Sequence, residues 1–144
     1  MATATLLKIA KEKEKEMMTS GMSPEEIRNK LFYFHQAAHV FHHDTTDGWE
    51  HDALGKLYTD LIDFKDDIPE KIMGYMGGKR ISGFKSLPVP EYTSGCAMTL
   101  AKEIIDFAKK LEEYAEEKEY CDISNMAQSL SGLGAKTVYR LTLK

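Results

Sequence analysis

The sequence predicts an all-α fold, a four-helix bundle with one long crossover between its second and third helices. Four segments between Ser23 and Leu141 carry apolar residues at the three- and four-residue spacing of a helix. No segment shows the apolar–polar alternation that would predict a strand. The second and third segments are separated by a long connection, residues 77–95, which is typical of a bundle with a crossover.

The first helix has a clear start. Ser23 can cap it, Pro24 occupies the first helical position, and Glu26 lies three residues after the serine. Apolar residues then recur at helical spacing to about His43, where "DTTDG" follows and breaks the pattern.

The second helix is expected to be long, from about Gly48 to Met76. Thr46 or Asp47 can cap its start, because both side chains offer an oxygen to the free backbone N–H groups of a first turn. Pro69 lies inside this helix and is expected to kink or loosen it locally, because proline lacks the backbone donor.

The third and fourth helices follow the long connection, which has room for a short helical turn. The third is predicted from about Ala97 to Glu119, with a solvated face of mixed charge. Asp122 or Ser124 is expected to cap the fourth, which reaches roughly Leu141. This order of helices predicts ferritin-like connectivity.

Composition places the chain among ordinary soluble globular proteins. Its 144 residues fit one domain, residues 21–144, preceded by a mixed-charge N-terminal extension, residues 1–20. A net charge of −4 gives no global attraction to nucleic acid or to an anionic membrane, and no apolar run is long enough to span one. Cys96 and Cys121 match no zinc or redox spacing, so we expect two reduced thiols and a cytoplasmic protein.

The candidate site is predicted by the histidines, which all lie between Phe34 and His51. Histidine is the commonest metal ligand. Four of the five share about 100° of arc on the first helix: His35, His39, His42 and His43. The fifth, His51, begins the second helix across a short loop, where it is expected beside His39. Farther along that helix, Asp66 and Glu70 are four residues apart and project from one face.

Helix geometry prevents Asp66 and Glu70 from sharing an ion with His51 within one chain. Asp66 and Glu70 lie fifteen and nineteen residues beyond His51, which is roughly 22–28 Å along a continuous helix. They could share one across a two-fold dimer whose second helices run antiparallel, since each histidine pair would then face the carboxylates of its mate. Imidazole with carboxylate suits iron or zinc better than calcium or magnesium.

At these residues the sequence resembles the Dps-type miniferritins, the DNA-protecting branch of the ferritin superfamily. That family has a histidine near the end of its first helix, a second histidine twelve residues later, an aspartate fifteen residues beyond and a glutamate four residues further. Four residues keep these spacings: His39, His51, Asp66 and Glu70. "DDIPEKI" stands where the family has its "DEIAE"-like run, and "RISGFKSLPVPEY" resembles the family's short connecting helix.

The resemblance implies an inter-subunit ferroxidase centre, with His39 and His51 from one chain and Asp66 and Glu70 from its dimer mate. It also implies a hollow shell of twelve subunits that stores ferric mineral. The main departure is Gly55, which stands where the family usually has an aspartate one turn after its second histidine, so one ligand of a second iron is missing. Residues that could compensate are Asp52, Asp63, His35, His42 and His43.

The function expected from these residues is oxidation of Fe(II) by peroxide or dioxygen, followed by storage of the ferric product. One alternative, which Gly55 favours, is a structural or metal-holding ferritin-like assembly with zinc as the candidate metal. Another is a DNA-binding protein acting through four lysines of the N-terminal extension: Lys8, Lys11, Lys13 and Lys15. Interleaved glutamates nearly cancel the charge of these lysines, so a solvated extension is the expectation we prefer.

Overall fold

The computed structural model describes residues 21–143, and within them every regular element is a helix. The four helices are α1 (Pro24–Asp44), α2 (Gly48–Tyr75), α3 (Cys96–Lys118) and α4 (Cys121–Leu141). The all-α prediction is therefore confirmed. The extension predicted for residues 1–20, together with its lysines, lies outside the described residues.

The starts of α1 and α2 follow from their capping residues. The Ser23 hydroxyl accepts a hydrogen bond from the Glu26 backbone N–H at 3.2 Å, and Pro24 is the first residue of α1. The Asp47 carboxylate accepts from the backbone N–H of Trp49 at 2.9 Å, so Asp47, one of the two predicted candidates, caps α2. Both caps satisfy N–H groups that have no partner within a first turn.

The predicted cap of α4 was wrong. The helix begins at Cys121, its N-cap residue is Tyr120, and no side chain caps it. The chain turns from α3 into α4 within two residues, with Glu119 in the left-handed region at φ 62°. The Tyr120 ring stacks on Tyr75 of α2 with centroids 4.3 Å apart, so aromatic packing sets the position of this helix start.

The core lies between all four helices. The most extensive packing joins α3 to α4 and α1 to α2, while α2 also packs on α4 and α1 on α3. Fully buried side chains from each helix form one continuous cluster, which includes Phe34, Leu57, Ile72, Ile104, Leu111 and Ile123. α2 runs through Pro69 without interruption, and the proline ring is buried in the bundle. None of the described helices is both long enough and apolar enough to cross a membrane.

The long connection between α2 and α3 has no helix, so the predicted short helical turn was wrong. Pro88 and Pro90 lack backbone donors and disfavour helical conformation in the residues before them, and Gly83 has a left-handed φ of 82°. A tertiary contact also competes with helix formation, because the Lys85 backbone N–H donates to the Asn29 side chain of α1 at 2.9 Å.

This connection contacts α1 at successive positions. Near the start of α1 the Arg28 guanidinium donates to the Gly83 carbonyl, and near its end the Tyr92 hydroxyl bonds Thr45 at 3.2 Å. Between these points the Phe84 ring lies 5.0 Å from that of Phe32. The connection therefore follows α1 from its first turns to its last residue.

Candidate metal centre

The end of α1 and the start of α2 bring all five histidines into one cluster around Tyr58. The turn between the helices is only three residues long, so the last turns of α1 face the first turns of α2. The cluster consists of His35, His39, His42, His43, His51 and Tyr58. The histidines that the sequence concentrates in one segment are therefore also neighbours in space.

His42 and His51 form a reciprocal pair. The Nδ1 of His42 lies 2.7 Å from the His51 carbonyl oxygen, and the Nδ1 of His51 lies 2.8 Å from the His42 carbonyl oxygen. A carbonyl oxygen only accepts hydrogen bonds, so each Nδ1 carries the proton and donates. In the neutral rings each Nε2 therefore keeps its lone pair for a metal, as in metal sites where a backbone carbonyl fixes the histidine tautomer.

The pair differs from the expected arrangement, in which His51 lies beside His39. The ring that stacks on His51 is that of His42, with centroids 3.7 Å apart and planes inclined by 19°. His39 stacks on Tyr58 with centroids 4.3 Å apart and lies 4.6 Å from the His43 ring. Burial lowers the pKa of His39, with smaller contributions from His43 and His42, and this favours the neutral form that binds metal.

His35 is held by a different partner. The Lys65 ammonium donates to its Nδ1 at 3.4 Å, so the proton of the neutral ring is on Nε2. That Nε2 is buried and has no hydrogen-bond partner. Burial, and next the charge of Lys65, lower the pKa of His35. An ammonium group beside this ring opposes cation binding there, so His35 is the histidine least suited to be a ligand.

A groove of about 630 Å³ gives solvent access to one side of the cluster. His35, His39 and His43 line it from α1, and Leu87 and Val89 of the long connection form part of the opposite wall. His39 is half-buried and His43 exposed, so a small ion can reach their rings without unfolding of the bundle.

Gly55 faces the histidine pair. A Cβ at this position would lie 3.1 Å from Cε1 and 3.3 Å from Nδ1 of His42, whereas Gly48 and Gly74 of the same helix have open space. The position where the resemblance leads us to expect a carboxylate is therefore covered by an imidazole. Nothing in the spacing of His42 along the sequence indicates this contact, because the two residues meet only when α1 packs against α2.

The predicted carboxylates also come together, with one addition. Asp66, Asp67 and Glu70 offer oxygens within 4.8 Å of one another on α2, and in the range 21–143 they form the one such group of three potential metal ligands. Asp66 and Glu70 are exposed, and Asp67 is half-buried. Asp67 joins the two predicted carboxylates, and its spacing of three from Glu70 is the sequence signal for its place in the group.

The histidine cluster and the carboxylate group do not meet within one chain. His51 and the carboxylates lie on α2, whose uninterrupted helix separates them by roughly 22–28 Å, and His39 of α1 stacks on Tyr58, which lies roughly 12–18 Å before Asp66 and Glu70 on the same helix. The two donor sets, neutral imidazole nitrogens and carboxylate oxygens, are together those of a first-row transition metal such as iron or zinc. Among residues 21–143, no group of three potential ligands brings an imidazole together with a carboxylate.

Comparison with known proteins gives a family and no function. No curated protein and no solved structure matches the chain. Residues 42–141 match the model of DUF5856, described as a family of unknown function. The matched region contains His42, His51, Asp66 and Glu70 and begins after His39. Because the match covers more than half of its residues, the chain belongs to the DUF5856 family.

Proposed function

We propose that this protein oxidises Fe(II) and stores the ferric product, in a ferritin-like assembly whose metal sites are shared between two copies. The observation that carries the proposal is the separation of two donor sets along α2, with the histidine cluster packed around its first half and the carboxylates in its second half. Each half offers donors that the other half lacks. A location in the cytoplasm belongs to the same proposal, which the two free thiols of Cys96 and Cys121 support.

Ferritin-like connectivity is supported by the path of the long connection. It contacts α1 near Arg28 first and near Thr45 last, so it returns along the bundle before α3 begins. Such a path is how a long crossover places the second pair of helices beside the first.

A two-fold dimer through α2 would complete the centre. His51, Ile62 and Asp66 lie within about 60° of arc on this helix, and Glu70 borders the same face. Ile62 is 44% exposed and lies on this face between the two donor sets. If two α2 helices cross antiparallel near residues 59–60, midway between His51 and the carboxylates, each histidine cluster faces the carboxylates of the partner and the dimer has two equivalent sites. Closure of six such dimers into a shell is part of the proposal and follows from the resemblance.

Iron is the substrate of the proposed reaction. The partner's carboxylates, the imidazole of His39 and the Nε2 atom of His51 would bind Fe(II), and the imidazoles bind it only when they are neutral. Two Fe(II) ions give two electrons to one peroxide, which takes up two protons and leaves as two waters. The chain's own role is to hold the ions together, so that the electrons leave in pairs and no free radical is released.

A metal-holding protein without oxidation is the second candidate. The observation that favours it is the His42 ring beside Gly55, because an imidazole in place of a carboxylate shifts the donor set towards zinc. Under this alternative the two-fold assembly and its ligands stay the same, and only the redox step is absent.

Mixed assemblies test the shared site. His51→Ala and the double variant Asp66→Asn/Glu70→Gln are each expected to lose rapid Fe(II) oxidation, measured as ferric absorbance after anaerobic loading and addition of peroxide. When the two variants are co-expressed and assembled together, one of the two sites in each mixed dimer has both intact halves, so activity is expected to return.

Each outcome of this experiment separates the alternatives. Recovery in the mixed assembly supports a ferroxidase shared between copies. Absence of recovery, with dimers shown to be mixed by mass spectrometry, contradicts sharing. Wild-type protein that binds Fe(II) but oxidises it no faster than free iron supports the metal-holding alternative.

A further inference from the structure

The His42 ring has the features of a metal ligand that the sequence pattern does not assign. Its Nδ1 donates to a backbone carbonyl at 2.7 Å, which leaves Nε2 as the nitrogen with a free lone pair. His51 has the same arrangement at 2.8 Å. A hydrogen bond of this kind fixes both the tautomer and the orientation of a metal-binding histidine.

Gly55 makes room for this ring. A Cβ at 3.1 Å from Cε1 of His42 would be closer than side-chain atoms normally pack, so a residue larger than glycine would require the His42 ring to shift by a few tenths of an ångström or more. Gly55 lies one turn after His51 on the same face of the helix. The His42 imidazole of α1 therefore occupies the space that a side chain at position 55 of α2 would fill.

The stacking of the two rings decides how many ions they can hold. The lone pair of an imidazole nitrogen lies in the plane of the ring. The two ring planes are inclined by only 19° and their centroids are 3.7 Å apart. The planes therefore intersect at a distance from the rings that is much greater than the ~2.1 Å length of a metal–imidazole bond. His42 and His51 therefore cannot direct both lone pairs at one ion, and each ring would hold its own.

We infer that His42 binds a second metal ion beside the ion of His51, and that Gly55 is a positioning residue which admits the His42 ring. This inference rests on the proposed function, because the remaining ligands come from the carboxylate group of a second copy. The resemblance leaves one ligand of a second ion missing at Gly55, and the inference assigns that role to the imidazole of His42.

Cobalt titration of the full chain tests the inference without any redox step. Co(II) stands in for Fe(II), and its visible absorption reports binding. Wild type is expected to bind two Co(II) per chain, and His42→Ala one. His35→Ala is the matched control, since it removes an imidazole of the same cluster whose Nδ1 accepts from the Lys65 ammonium and which is therefore least suited to bind metal, and it should still bind two.

A compensating variant keeps the test independent of folding. In His42→Ala/Gly55→Asp the ring that blocks position 55 is gone, and a carboxylate lies one turn from His51, so two Co(II) per chain are expected again. Two ions in His42→Ala, or one ion in wild type, would overturn the role of His42 and leave the shared site intact. No His51-dependent Co(II) binding in wild type would instead contradict the proposed function.

Discussion

At the scale of single residues, Tyr114 shows how burial couples ionisation to stability. Its side chain is 2% exposed and lies in a tyrosine cluster with Tyr120 and Tyr75, at the end of the bundle far from the histidines. Burial, with a smaller contribution from Tyr120, raises its pKa to about 12 from an ordinary value of 10.0. The folded chain therefore keeps the phenol proton over a pH range in which the unfolded chain loses it.

The direction of the resulting pH dependence follows from proton counting. Below pH 10 both states hold the proton, and Tyr114 contributes fully to stability; as pH rises from 10 towards 12, unfolding releases a proton and stability falls. We expect the free energy of unfolding in urea to drop more between about pH 9 and about pH 11 for wild type than for Tyr114→Phe. Equal drops in the two proteins would contradict this coupling.

At the scale of helices, α3 and α4 approach closely at Gly134. A Cβ there would lie 2.7 Å from Cγ1 of Ile105 and 3.1 Å from the Ala101 carbonyl oxygen, and the second contact is to backbone that cannot rotate away. We expect Gly134→Ala to reduce the free energy of unfolding by about 1–3 kcal/mol, the usual cost of overpacking a core.

Gly132 provides the matched control in the same helix. It is exposed, and a Cβ there would meet nothing within 4 Å. Gly132→Ala should therefore stabilise the protein by about 0.5–1 kcal/mol through helix propensity alone. If the urea midpoint of Gly134→Ala rises as much as that of Gly132→Ala, the close approach at Gly134 has no energetic cost.

The whole molecule is expected to associate through α2, and Ile62 tests this. Its exposed side chain lies close to the proposed two-fold axis, where a glutamate from each copy would place two like charges near each other in a low-dielectric interface. We expect Ile62→Glu to lower the particle mass measured by light scattering and to abolish His51-dependent metal binding. Gln128→Glu adds the same charge to an exposed position of α4 and should change neither. A monomeric wild type would contradict the shared site.

Much of the fold could be predicted because it depends on local signals. Ser23, Pro24 and Asp47 define helix starts through their own hydrogen bonds or ring geometry, and the structure places both starts at these residues. The start of α4 and the path of the connection could not be predicted in the same way. The Tyr120 ring stacks on Tyr75 of another helix, and the Lys85 backbone N–H donates to Asn29 of α1. Both features therefore depend on contacts with residues that are distant in sequence.

The sequence by itself determined the all-α architecture, the concentration of histidines at the α1–α2 turn and the four-residue spacing of Asp66 and Glu70, because helical periodicity and capping act within a few residues. Tertiary structure decided which imidazoles pair. His42 meets His51 and Gly55 only when two helices pack, and no spacing within either helix specifies that contact.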